Sequence, residues 1–229
     1  MNNFAYITYL CDEKYLPGII ALTNSLKIFK CNYPIILMIT DNVNLENFKN
    51  INNVIIKKVE KIIYNGKNSI LDRYKNNSWM MFTKLNIWKF VDYDKLVYLD
   101  ADTIVLENID ILFNNEELSA VLGGSEMLKY NGIEAGVLVV KPNMNMFNNL
   151  LSALNSDKYD LKMSDQSFIN DYFIKNYKIN YLPEKYNRLM KKNEIIKGAA
   201  IYHWNGEKPW NNNKIFNYNT WIKYYKINL

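Results

Sequence analysis

The chain has 229 residues, 49% hydrophobic and 22% charged, with a formal net charge of +5. This composition excludes a disordered chain, a collagen and a coiled coil, and the length fits one domain over residues 1–229. Lysines are dispersed, in short pairs such as Lys57–Lys58, so no nucleic-acid partner is expected.

From the N-terminus, residues 4–10 (FAYITYL) read as a strand. Pro17 then opens a helix, PGIIALTNSLKIF, because its fixed φ suits a first turn. Residues 34–40 (PIILMIT) form a second predicted strand, ending at the turn pair Asp41–Asn42. A short helix around 44–50 and a strand over 53–62 follow. Residues 63–77 are polar, contain Gly66 and read as a loop. Met81, Leu85, Trp88 and Val91 follow Ser78 at helical spacing, which predicts a helix over 78–91. Residues 95–99 (KLVYL) run on as a continuous apolar stretch after Lys95, as in a strand buried on both faces. A strand over 136–141 and helices over 143–155 and 164–176 come next. YLPEKYN and AAIYHWNG are strand-to-loop segments, and FNYNTWIKYYKI is a closing helix. The alternation implies an α/β fold with a mostly parallel sheet flanked by helices.

The apolar runs are strand-sized, so no membrane span is expected. MNNFAYITYL has neither a basic n-region nor a small-residue cleavage site. Cys11 and Cys31 lack CxxC spacing and read as buried free thiols in a reducing, cytoplasmic setting.

Several chemistries are missing. No G-x-G-x-x-G follows the first strand, no P-loop or G-x-S-x-G elbow occurs, and His203 is the only histidine. What stands out is Asp100-Ala101-Asp102 directly after the buried run 95–99. Residues i and i+2 of a strand share a side, so both carboxylates emerge together where open α/β sheets bind ligands. Such a pair is costly without a cation, and a hard divalent metal would in turn bind a diphosphate. The alternative is a capped turn with solvated carboxylates. A second D-x-D, Asp92-Tyr93-Asp94, belongs to the turn before the strand. His203 precedes Gly206 and Lys208, which reads either as a phosphate clamp or as an ordinary structural histidine. Taken singly, Lys84, Arg73, Asp165 and Gln166 are compatible with surface charges or helix-terminus partners.

Together these segments form a pattern. The chain resembles the glycogenin-like branch of glycosyltransferase family 8, carried by FTKLNIWKF, KLVYLDADTIVLENIDILF, AGVLVVKPN, SDQSFIN, LPEKYN and YHWNGEKPWN in that order. The resemblance implies a GT-A fold and a metal-dependent, retaining transfer from a UDP-sugar, usually UDP-glucose. It implies Asp100, Asp102 and His203 as ligands of Mn²⁺, which suits a nitrogen ligand better than Mg²⁺, and Gly206 and Lys208 as diphosphate contacts. Thr8, Leu10 and Tyr15 fall at the nucleoside, with Tyr15 under the uracil. Lys84 and Arg73 fall near the donor, and Asp165 and Gln166 beside the transferred sugar. Ala101, Glu134 and Ala135 complete the donor set.

Two departures touch the sugar site. The family's F-N-[SA]-G is Ile133-Glu134-Ala135-Gly136, and its D-x-x-D-Q is Lys162-Met163-Ser164-Asp165-Gln166. A third touches the acceptor. Residues 188–198 hold no tyrosine, whereas glycogenin carries its self-glucosylated tyrosine there. The expected acceptor is therefore a separate glycan or protein hydroxyl. The alternative is self-glucosylation at Tyr186 or at a tyrosine between Tyr218 and Tyr225, reached in a homodimer. A nucleotidyltransferase and a non-enzymatic sugar-binding module are the competing classes.

Overall fold

A computed structural model of the chain describes residues 2–44, 54–66, 70, 78–125, 130–190 and 197–227. The expected helix around 44–50, Arg73 and most of the 63–77 loop lie outside them. The continuous apolar runs become central strands because helices cover both faces. β1 (Phe4–Leu10), β2 (Ile35–Ile39), β3 (Val54–Lys58) and β4 (Lys95–Leu99) pair in parallel in the order β3-β2-β1-β4. α1 (Leu16–Ile28) follows β1 with proline in its first turn.

Beyond β4 the sheet changes character. β6 (Ser119–Ser125) and β7 (Tyr130–Val140) form an antiparallel pair, β7 runs antiparallel to β4, and β8 (Asn180–Leu182) adds a parallel edge to β6. The seven-stranded sheet is thus mostly parallel, as expected. β7 is longer than the predicted 136–141, and no expected element corresponds to β6, whose run ends in Gly123-Gly124. β5 (Thr103–Val105), β10 (Ile201–His203) and β9 (Arg188–Leu189) make a small second sheet.

Alternation along β1 sends Ala5, Ile7 and Tyr9 into one core layer and Tyr6 into the other. α3 (Met144–Leu154) and α4 (Asp165–Asn176) supply Leu150, Phe168 and Phe173 to the first layer. The predicted helix over 78–91 is instead α2 (Ser78–Phe82) running into a 3₁₀ helix at Thr83–Lys89. Residues 82–88 are buried all round, so no single apolar stripe is needed there, and Val91 lies outside at 52% exposure. α5 (Tyr218–Tyr225) closes the described chain against α1. No helix among the described residues is long and apolar enough to cross a membrane. Cys11 and Cys31 are free but only partly buried.

Candidate active site

The main sheet delivers its carboxylates at the end of β4. Asp100 and Asp102 sit in a turn, where Asp100's carbonyl accepts from Thr103 N (3.1 Å) and Thr103 Oγ1 (2.7 Å). The turn, not strand alternation, is what brings the two carboxylates together. The small sheet brings the third group. β10 pairs antiparallel with β5, setting His203 opposite Thr103, and Trp204 N donates to the Asp102 carbonyl (3.0 Å). His203 Nε2 thereby lies 3.1 Å from Asp102 Oδ1 and 3.9 Å from Asp100 Oδ2. One ligand atom from each of the three residues falls within 4.8 Å of the others.

The surroundings fit a divalent cation. Two carboxylates and an imidazole are a suitable donor set. Gly136 keeps the space beside them, since a Cβ there would stand 2.4 Å from His203 Cε1 and 3.2 Å from Asp100 Oδ2. Lys208 Nζ now donates to Asp102 Oδ2 and to the Trp204 carbonyl (2.7 Å). Burial works to raise the Asp102 carboxyl, but His203 and Lys208 outweigh it and hold Asp102 well below the usual carboxylate range. Burial likewise opposes charge on His203, and Asp102 and Asp100 overcome it and raise its pKa.

Lys84 is no surface lysine. At 6% exposure its ammonium meets Asp165 Oδ2 (2.6 Å), Asp100 Oδ1 (3.2 Å) and the Ala135 carbonyl (3.2 Å). Burial opposes its charge, and Asp100 and Asp165 restore it, lifting its pKa above the ordinary lysine value. Burial raises the Asp165 carboxyl, with Lys84 pulling the other way. Gln166, next on α4, accepts from Ala135 N (3.3 Å) and ties the helix to β7. Glu134 is buried over Gly123, where a Cβ would collide with its carboxylate, and burial raises its pKa.

A cavity of about 480 Å³ unites these groups. Tyr15, Lys84, Asp100, Ala101, Asp102, Glu134, Ala135, Asp165, Gln166, His203 and Lys208 all line it. Three of the expected residues do not. Thr8 and Leu10 are 1% and 0% exposed, turned into the core by strand alternation, so their main chain is all they can offer a ligand. Their place on the wall is taken by Tyr9 and Cys11, whose thiol is pushed up to about 12 by burial. Gly206 is exposed and off the cavity wall, with only Met190 Cε near a built Cβ, at 3.9 Å. Sequence reasoning also passed over Tyr98, whose hydroxyl donates to Asp100 Oδ1 at 2.5 Å. Its position two residues before Asp100 was the available signal.

This arrangement has a family. The model of glycosyl transferase family 8 matches residues 6–214. The chain belongs to glycosyl transferase family 8. As a member it is a sugar-transferring enzyme with the GT-A fold. Among family relatives, galactinol synthase 1 of Solanum lycopersicum is 30% identical over 91% of this chain and 74% of its own length. Glycogenin-1 of Mus musculus is 29% identical over 92% of this chain and 66% of its own. The chain spans only 30–36% of the Arabidopsis thaliana glucuronosyltransferases it also matches. Of solved structures, the galactosyltransferase LgtC, in complex with donor and acceptor sugar analogs, superposes with a TM-score of 0.72. It is 15% identical, and the match covers 96% of this chain and 95% of that one.

Proposed function

We propose that this family 8 enzyme transfers a hexose, with retention, from a UDP-sugar to the hydroxyl of a separate glycan or protein, and that UDP-glucose is the first donor to test. The observation that carries the reading is the convergence of Asp100, Asp102 and His203 within 4.8 Å at one end of a cavity that also holds Lys84 and Asp165. Asp100, Asp102 and His203 would hold the cation, with Mn²⁺ the better fit for a site containing nitrogen. Bound there, it would act as a Lewis acid toward the departing diphosphate.

The chain's own groups do the rest. Lys208, on the WNGEKPW segment, would exchange Asp102 for a diphosphate oxygen. Tyr15 meets Trp210 in a T-shaped contact at 5.7 Å between ring centres and would stack on the base. Lys84 adds fixed positive charge where negative charge develops. Asp165, with Oδ2 held by Lys84, orients the sugars while the acceptor attacks from the leaving-group face.

The test is release of UDP from UDP-sugars. Mn²⁺ should support it, EDTA should abolish it, and Asp102→Asn should be inactive yet folded by circular dichroism. Full turnover in EDTA would refute the metal assignment.

A further inference from the structure

A second residue decides which nitrogen of His203 is available. Asn187 ends the 3₁₀ turn Glu184–Asn187, just before β9, and is 1% exposed. β9 runs parallel to β10 and pairs Leu189 with His203, which brings the Asn187 side chain against the imidazole. Asn187 Nδ2 donates to the Glu134 carbonyl on β7 (3.2 Å), and Asn187 Oδ1 lies 2.9 Å from His203 Nδ1.

The amide's orientation follows from chemistry. A carbonyl oxygen only accepts, so the group facing Glu134 must be the NH₂. The group facing His203 is then Oδ1, which also only accepts, so His203 Nδ1 must carry a proton. The nitrogen left for a cation is Nε2, the one that points at Asp102 and Asp100. We propose that Asn187 is a positioning residue that holds His203 in the Nδ1–H form and aims its Nε2 lone pair at the metal site. The inference rests on the metal-site reading above. A partner on the far nitrogen is the usual way a ligating histidine is oriented and made more basic. Without it the ring is free to turn and to carry its proton on the ligating nitrogen.

The chain's single histidine makes this directly observable. Ring ¹⁵N spectra of the protein loaded with UDP and diamagnetic Cd²⁺ should show Nδ1 protonated and Nε2 bound to the metal. Mn²⁺ affinity, read by electron paramagnetic resonance titration, should fall about 10–100-fold in Asn187→Leu. It should stay close to the wild type in Asn187→Asp, whose carboxylate still accepts from Nδ1. Asn187→Asp loses the bond to the Glu134 carbonyl and will melt earlier, so metal affinity is the deciding readout. In kinetics the Leu variant should raise the KM for Mn²⁺ more than it lowers kcat at saturating metal. Unchanged Mn²⁺ affinity in Asn187→Leu, or an equal loss in both variants, would overturn the proposal. Metal on Nδ1 in the wild type would do the same, even if the Leu variant failed to fold. Wild-type protein that binds no Mn²⁺ would instead bring down the metal site itself, and this inference with it.

Discussion

One buried and one half-buried group show how a charge is kept or resented in this fold. Lys84 keeps its ammonium because two carboxylates and a carbonyl face it within 3.2 Å, and the Tyr98 ring lies 4.9 Å beneath. Breaking such a set by removing one member leaves the others uncompensated. Glu117 is the opposite case. It is half-buried and accepts a 2.7 Å bond from Trp88 Nε1, and the pull of this bond and of Lys141 does not offset its desolvation. Burial raises its pKa above the ordinary 4.5. A carboxyl raised on folding costs stability wherever it is ionised. That cost is absent below 4.5 and fully present above the raised value. Glu117→Gln keeps an acceptor for Trp88 and removes the charge. At neutral pH it should be the more stable protein and melt at a higher temperature. Melting both proteins across acidic pH should show that lead shrinking and then vanishing below 4.5. A lead that persisted there would mean the gain came from packing and not from charge.

At the level of elements, the site is a junction of two sheets. β4 was legible because a strand buried on both faces must be apolar throughout, and the acidic pair was legible because it interrupts that run. That the pair is gathered by a turn was not, since spacing alone cannot separate a strand continuing to Asp102 from one ending at Leu99. β6 escaped notice because the run Ser119–Ser125 contains two glycines and few apolar residues. The partnership of His203 with Asp102 depends on β10 lying against β5, a long-range pairing that no local pattern encodes. Asn187 closes the LPEKYN block but was given no role, since no local pattern brings it to His203. Gly136 was read as part of a family block, and the structure gives the physical reason for it. It stands on β7 opposite Asp100, its carbonyl accepting from Asp100 N at 2.9 Å, with the His203 ring where a Cβ would go. Gly136→Ala should therefore displace the imidazole. Overpacking of this kind costs about 1–3 kcal/mol, and the displaced ligand should weaken Mn²⁺ binding well beyond what the drop in Tm accounts for. Measuring both on one preparation separates the effects. Native metal affinity in this variant would show that the ring has room to spare.

For the whole molecule, the open question is which hydroxyl attacks. The cavity lies beyond the ends of β1 and β4, and the tyrosines on its wall are Tyr9, Tyr15 and Tyr98. All belong to the site's own framework. Tyr98 already donates to Asp100, and burial pushes Tyr15 up to about 12. The candidates for self-modification lie elsewhere. Tyr186 is packed against the core layer that contains Val137 and Leu182, beneath the Lys185 ammonium. Tyr218, Tyr224 and Tyr225 belong to the cluster around Trp221, on the helix that packs against α1. Residues 191–196 lie outside the described residues, and their sequence contains no hydroxyl. Attack requires the oxygen within about 3–3.5 Å of the anomeric carbon, and Tyr186, Tyr218, Tyr224 and Tyr225 are not among the residues that line the cavity. The expected result of incubating the purified protein with UDP-glucose and Mn²⁺ is slow release of UDP with no gain in intact mass. Adding a suitable glycan should accelerate that release and move the hexose onto the glycan. A ladder of hexose additions on most molecules would refute the external acceptor. If the ladder grew faster with protein concentration, it would point to one copy glucosylating a tyrosine of another.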